Sequence, residues 1–463
     1  MGVAVSNWRL ARAVSQLGQL GVVSGTVIGV VLARRLQQGD PGGHMRRALS
    51  HFPIPAVVER LMRQYFVSEG KAPEAPFKPV AMPGVSPAAS WLELTIAGGF
   101  AEVFLAREGH DHPVGINLLE KLQVATLATL YGAMLAGVGY VIMGAGIPRA
   151  IPGTLDRFAA GEAAELKIDV IGAAPGVDTL SRLDPQEIFH GLGEAPRLER
   201  PKFLAIVSSA TLAMTLARKS NGKVDGFVIE SELAGGHNAP PRGPMQLSAS
   251  GEPIYGVRDV PDLAKIAELG LPYWLAGSRA DPEGLAEAKK LGAVGIQVGT
   301  AFAFCDESGI EPAIKTEVLR LSRAGKARVF TDPLASPTGF PFKVFEMDGT
   351  MSDATVYASR ERVCDLGYLR SAYARPDGSL GYRCAAEPDG DFVAKGGAEA
   401  ELAGRKCLCN GLLATVGLGQ VRRGAGPEIP IITAGDEVAR VARLLPEGAT
   451  GYSAADVVRH LLS

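Results

Sequence analysis

At 463 residues the chain is too long for a single compact core and predicts one large domain with an extension. Its 47% apolar and 21% charged residues are those of an ordinary folded, soluble protein. With 47 basic residues against 49 acidic ones, the near-neutral balance argues against nucleic acid or an anionic membrane as the main partner, since both need a basic surface.

In chain order, short runs rich in Val, Ile and Gly alternate with longer helical patterns, the rhythm of parallel βαβ units. The first run, residues 2–5, is expected as a strand. The start lacks a basic region followed by an apolar stretch, so it does not read as a signal peptide, and the chain reads as cytoplasmic. Residues 17–36 are the greasiest stretch, but Gln19, Ser24, Thr26 and Arg34-Arg35 make a strand (21–24) and a buried helix the better reading than a membrane span. Residues 37–87, broken by Asp40-Pro41-Gly42-Gly43 and further prolines, read as a helical insertion after the second strand.

Further strands are expected at 113–117, 139–144, 203–208, 225–230, 272–276 and 293–299. Helices are expected at 118–135, 147–160, 210–219 and 282–291. Eight strands with intervening helices favour an α/β fold of the (β/α)8 TIM-barrel kind over an open doubly wound sheet. Residues 165–172 form a further strand candidate, either in the barrel or in an insertion. Beyond about 332 the alternation stops, which divides the chain into a barrel over 1–335 and a Cys-containing C-terminal extension over 336–463.

Two segments carry candidate chemistry. Ala276-Gly277-Ser278 and Gln297-Val298-Gly299-Thr300 close the last two expected strands, where barrel loops commonly hold a phosphate through backbone N–H groups. Gly277 allows close backbone approach, Gly299 leaves room, and Ser278 and Thr300 offer hydroxyl donors. The bland alternative is that these glycines only make tight turns; the pair, one βα unit apart, is what favours the site. No Gly-x-Gly-x-x-Gly follows an early strand, which disfavours a Rossmann dinucleotide site. The second segment runs Asp225-Gly226-Phe227-Val228-Ile229-Glu230 into Leu233-Ala234-Gly235-Gly236-His237. It delivers a histidine to the C-terminal end of a strand, where barrel enzymes place catalysis. An imidazole there can take a proton from a carbon acid; taken alone, it could equally be a loop histidine bonded to a carbonyl.

Ala234-Gly235-Gly236-His237 resembles the Ala-Gly-Gly-His signature of the nitronate monooxygenases, formerly called 2-nitropropane dioxygenases. Val5-Ser6-Asn7 with Leu10-Ala11-Arg12 and Leu20-Gly21 is similar to the family's opening elements. Gly115-Ile116-Asn117-Leu118 resembles a further strand end, and Gln297-Val298-Gly299-Thr300-Ala301-Phe302 the last strand. The likeness covers about the first 330 residues, with gaps at the insertions. It implies a barrel holding non-covalent FMN, with Asn117 bonded to the flavin ring and Gly277, Ser278, Gly299 and Thr300 around its phosphate. The backbone near Met1, Gly2 and Val3 would lie under the ring system; Gly235, Gly236, Ala276 and Gln297 would complete the cofactor site. His237 would be the catalytic base, removing the α-proton of a nitroalkane ahead of oxidation by flavin and dioxygen. Departures are Leu233 where the family often has Glu, with Glu232 one place earlier, and a larger insertion and extension. The family's first strand also carries residues ahead of this point, so the resemblance implies a clipped or misassigned start at Met1.

The implied partners are a small-molecule substrate and dioxygen, with no nucleic acid or membrane; a homo-oligomer stays open. The rival readings are a flavin-dependent enoyl-thioester reductase of fatty-acid or polyketide synthesis, and a phosphate-ligand barrel without redox chemistry. Five cysteines in so long a chain fit a reducing compartment. Cys364, Cys384, Cys407 and Cys409 have the chemistry for zinc or an iron–sulfur cluster, but Cys-x-x-Cys knuckles are absent, buried free cysteines are commonplace, and no metal is assigned. Cys305 reads as a packed thiol. His110 and His112 read as a surface loop, and Arg34-Arg35 and Arg46-Arg47 as solvated helix faces.

Overall fold

The computed structural model describes residues 2–463. Seven parallel strands form one curved sheet in strictly sequential order. They are β1 (Gly21–Ser24), β2 (Val114–Leu119), β3 (Tyr140–Gly144), β4 (Lys202–Val207), β5 (Gly226–Glu230), β6 (Tyr273–Ala276) and β7 (Gly295–Gln297). Sequential parallel order with helical crossovers is the (β/α)8-type barrel arrangement. The strand expected at residues 2–5 is a correction. Gly2 and Ala4 adopt left-handed backbone (φ 63° and 50°), and the segment folds as turns. Its carbonyls are taken one by one by separate donors: Ser24 Oγ bonds Gly2 O, Ser24 N bonds Ser6 O, and Gly309 N bonds Val5 O. Such scattered bonds hold the segment beside β1 without a ladder.

The greasy stretch at 17–36 resolves into β1 and helix α2 (Ile28–Gln37), which follows α1 (Trp8–Gln16). Asn7 caps α1, its side-chain oxygen accepting from Leu10 N at 3.1 Å. Shorter helices His44–Ser50 and Pro55–Tyr65 occupy the insertion before the long helix α3 (Ala89–Arg107). By length and composition α3 could cross a membrane, but it is largely buried within the fold. It packs between α2 and α4 (Gln123–Leu135). Contact is close enough that a Cβ on Gly132 would stand 2.0 Å from Ile96 O, and one on Gly98 2.8 Å from Ile28 O.

Arg34 departs from the solvated face expected of it. It is 3% exposed, its guanidinium lying over Phe77 and donating to Leu418 O from the C-terminal extension. Burial lowers its pKa to about 10. The apolar ring and the carbonyl together replace the water the charge gives up.

After α5 (Ile151–Ala159), residues Ala164–Ile168 pair antiparallel with Thr179–Leu183, so this candidate strand belongs to an insertion outside the barrel. The barrel resumes with β4, α6 (Ala210–Lys219), β5, β6, α7 (Pro282–Lys290) and β7. The C-terminal third wraps back on it. β8 (Val329–Asp332) pairs antiparallel with β9 (Phe342–Phe345), and α8 (Leu408–Thr415) packs behind them. The last helix, α9 (Ala454–Leu461), starts with a Ser453/Asp456 capping box and lies on α1.

Candidate active site

The lumen is lined by apolar side chains from five of the seven strands: Val22, Ile142, Leu204, Val228 and Trp274. A cavity of about 440 Å³ runs from the loops at the strands' C-terminal ends into this lumen. That size suits a cofactor-scale ligand. It is bordered by both edge strands of the sheet, β1 through Gly21 and Val22 and β7 through Gly295, Ile296 and Gln297.

Most of the residues singled out in the sequence converge there. Gly2, Gly235, Gly236, Ala276, Gly277, Ser278, Gln297, Gly299 and Thr300 all line the cavity. Gly277 has φ 102°, and a Cβ on it would lie 2.1 Å from Ser231 Oγ, so only glycine fits the turn after β6. Ser278 holds a left-handed backbone (φ 48°), and its buried hydroxyl has no hydrogen-bond partner. A buried hydroxyl without a partner costs free energy unless a ligand satisfies it. A Cβ on Gly299 would meet nothing within 4 Å, leaving open space beside it. Thr300 Oγ1 accepts from Gly435 N at 2.8 Å and keeps its own proton free to donate. An anionic group between these turns would find an orphan donor and the guanidinium of Arg279, which also pairs with Glu287 at 2.9 Å.

Val3, Asn117 and His237 are not among the lining residues. Val3 is buried in the core, and Asn117, at the C-terminal half of β2, donates from Nδ2 to Ile142 O at 3.3 Å. Met1 lies outside the described residues. His237 follows the lining glycine Gly236 directly and packs edge-on against Phe342. Its Nε2 is 2.7 Å from Ser336 Oγ, which lies 2.8 Å from Thr338 Oγ1. Burial lowers the imidazole to about 4, so it is neutral at physiological pH.

The Gly235-Gly236 turn is held by the C-terminal extension. Gly236 N donates to Thr433 Oγ1 at 2.9 Å, and Lys343 N donates to Gly236 O at 2.9 Å. A Cβ on Gly235 would stand 2.7 Å from the Ala434 carbonyl carbon and Gly435 N.

Sequence reading missed Glu230, Ser336 and Thr433. Glu230 ends β5 and reaches the cavity but is otherwise enclosed, and burial raises its carboxyl to about 7. Its place at a barrel strand's C-terminal end was a usable signal. Ser336 lies just past the point where the strand–helix alternation stops, and Thr433 carried no local signal.

Comparison with known proteins bears on this same stretch. The nitronate monooxygenase family model matches residues 195–329. A probable nitronate monooxygenase of Bacillus subtilis is 34% identical over 119 residues, covering 26% of this chain and 32% of that one. The nitronate monooxygenase of Paraburkholderia phytofirmans is 29% identical over 183 residues, covering 39% and 47%. The chain thus matches less than half the length of either relative. Among solved structures, FabK from Thermotoga maritima aligns over 100% of this chain and 90% of its own, with 15% identity and a TM-score of 0.45. Residues 195–329, which carry both glycine turns and Ala234-Gly235-Gly236-His237, are thus the stretch that matches the nitronate monooxygenase family model.

Proposed function

We propose that the protein is an FMN-dependent oxidoreductase that oxidises alkyl nitronates and nitroalkanes with dioxygen, His237 serving as the proton-abstracting base. The observation carrying this reading is the single cavity that unites the two glycine turns with the Gly235-Gly236 loop leading into a neutral, oriented histidine. Family relatedness supplies the reaction class.

Ser278, Gly277, Gly299 and Thr300 would hold the FMN phosphate, with Arg279 balancing its charge. Gly2, Gly235, Gly236, Ala276 and Gln297, which line the cavity, would surround the ring system, with Val3 and Asn117 behind them. Bound there, FMN would supply the redox chemistry between substrate and dioxygen. The chain's own work is positioning and proton transfer. His237, oriented through Nε2 by Ser336 Oγ, would present its other ring nitrogen, when unprotonated, to take the α-proton from a neutral nitroalkane. The apolar lumen below excludes water from that carbon.

Purified protein is expected to be yellow and to consume oxygen with an alkyl nitronate, without added nicotinamide. His237→Asn should retain FMN yet lose neutral nitroalkane turnover by about 10²- to 10⁴-fold. Preformed nitronates, which need no deprotonation, should suffer less. Unchanged nitroalkane turnover removes the base role, and colourless protein after incubation with FMN removes the cofactor. Turnover of a nicotinamide and an enoyl thioester, with no nitronate oxidation, would instead favour the reductase reading.

A further inference from the structure

Glu230 ends β5 on the same face of the sheet as Val228, because alternate residues of a strand point the same way. That face is the lumen, where Ile142, Leu204, Val228 and Trp274 form an apolar wall and Glu230 borders the cavity. Strand register sets what lies beside it. Glu230 pairs with Ala276 of β6, the residue directly ahead of Gly277-Ser278, and Ser231 N donates to Ala276 O at 3.2 Å. The carboxyl therefore stands one strand away from the turn assigned to the FMN phosphate.

Among the described residues no donor is bonded to this carboxyl, and burial raises it to about 7, outweighing a lowering by the chain's amino terminus. The other ionisable groups at the cavity do not balance a charge there. Glu437 is held by Arg443 at 2.7 Å and by Arg440 at 3.3 Å. Arg279 is paired with Glu287 at 2.9 Å, and Lys289 is exposed at the end of α7. His237, just past the lining loop, is neutral at physiological pH.

A carboxylate without a donor, set in an apolar wall, is costly, and protonation removes that cost. A phosphate dianion brought to Gly277-Ser278 places a second negative charge close by and raises the cost further. Of the two anions, the carboxyl is the one that gives up its charge. The phosphate has the Ser278 hydroxyl and the Arg279 guanidinium to meet it, whereas the carboxyl has no such partner. We propose that FMN binds with uptake of one proton from solvent onto the Glu230 carboxyl, so that retention of the cofactor is coupled to pH. The proposal rests on the flavin reading and adds a proton-linked equilibrium to it.

The sign follows from the flavin-free state. Below about pH 7 the carboxyl already holds its proton, and it adds no pH dependence to binding. Above about pH 7 the proton must be taken up, and affinity falls by up to about tenfold per pH unit. The second ionisation of a phosphate monoester, at about 6, is nearly complete in that range and contributes little.

The test is calorimetric titration of the flavin-free full chain with FMN at pH 8, in Hepes and in Tris. These buffers differ in ionisation enthalpy, so the difference in binding heat counts the protons taken up. The expected result is about one proton per FMN, with a Kd about tenfold weaker at pH 8.5 than at pH 7. Glu230→Gln, neutral throughout, should take up no proton and keep a level Kd over the same range. Binding of FMN without proton uptake overturns the proposal and leaves the flavin reading standing, as does uptake that persists in Glu230→Gln. Absence of FMN binding at every pH removes the flavin reading and the proposal with it. The parent's proton count needs no variant and decides even if Glu230→Gln fails to fold.

Discussion

At the residue scale, Ser278 separates a binding role from a structural one. Among the described residues its hydroxyl has no partner, so removing it should cost the flavin-free fold nothing. A hydrogen bond to a charged phosphate is worth about 1.5–3 kcal/mol, roughly tenfold to a hundredfold in affinity. Ser278→Ala is therefore expected to weaken FMN binding by that factor in a fluorescence titration, with a melting temperature before FMN is added that is equal to or above the parent's. Equal affinity would mean that the phosphate lies elsewhere.

Glu230 and His237 give opposite pH dependences. Burial raises Glu230 to about 7. Its stabilising contribution is complete below the unfolded carboxylate value of about 4.3 and is lost as pH rises through about 7. Burial lowers His237 to about 4. Its contribution is present above the unfolded value of about 6.5 and is lost as pH falls through about 4. The two partly cancel in the parent between about pH 4.5 and 6.5. Glu230→Gln removes the first, so the melting temperature of the flavin-free variant relative to the parent should rise steadily from about pH 5 to pH 8. A flat difference over that range would show that Glu230 titrates normally.

At the element scale, the helical layer outside β1–β3 depends on glycines that let helices touch through their backbones. Gly132 of α4 faces Ile96 O of α3, and Gly98 of α3 faces Ile28 O of α2. Gly132→Ala would gain helix propensity but place a methyl group inside van der Waals contact with a carbonyl. Overpacking of this kind typically costs about 1–3 kcal/mol, outweighing the roughly 1 kcal/mol of propensity. Thermal unfolding of Gly132→Ala should show a net loss of stability, and a rise would mean that the helices separate freely.

At the scale of the whole molecule, the C-terminal third is built into the barrel's catalytic end. β9 pairs with β8, Thr433 holds Gly236, Ser336 holds His237, and α9 covers α1. A chain ending at Ala335 would lose all four contacts and expose the apolar faces beneath them. Its expected behaviour is loss of soluble protein, or a melting temperature lower by about 10 °C or more, together with loss of FMN. A truncated chain that melts and binds FMN like the parent would show the extension to be dispensable.

The alternation of strands and helices was readable from residue order because its causes are local: side-chain periodicity, caps such as Asn7, and glycine at turns such as Gly277. The same locality made the two phosphate-type turns and the Gly-Gly loop recognisable before any contact was known. What surrounds them was not local. Ser336 lies 99 residues from His237, and Thr433 lies 197 from Gly236. Residues 2–5 have strand-like composition, yet they form turns because donors from Ser24 and Gly309 capture their carbonyls singly. Arg34, charged and next to another arginine, lies buried because Phe77 and Leu418 arrive from distant chain. Composition and spacing record what a residue can do; which partner it meets depends on packing between segments far apart in sequence, and only the folded chain decides that.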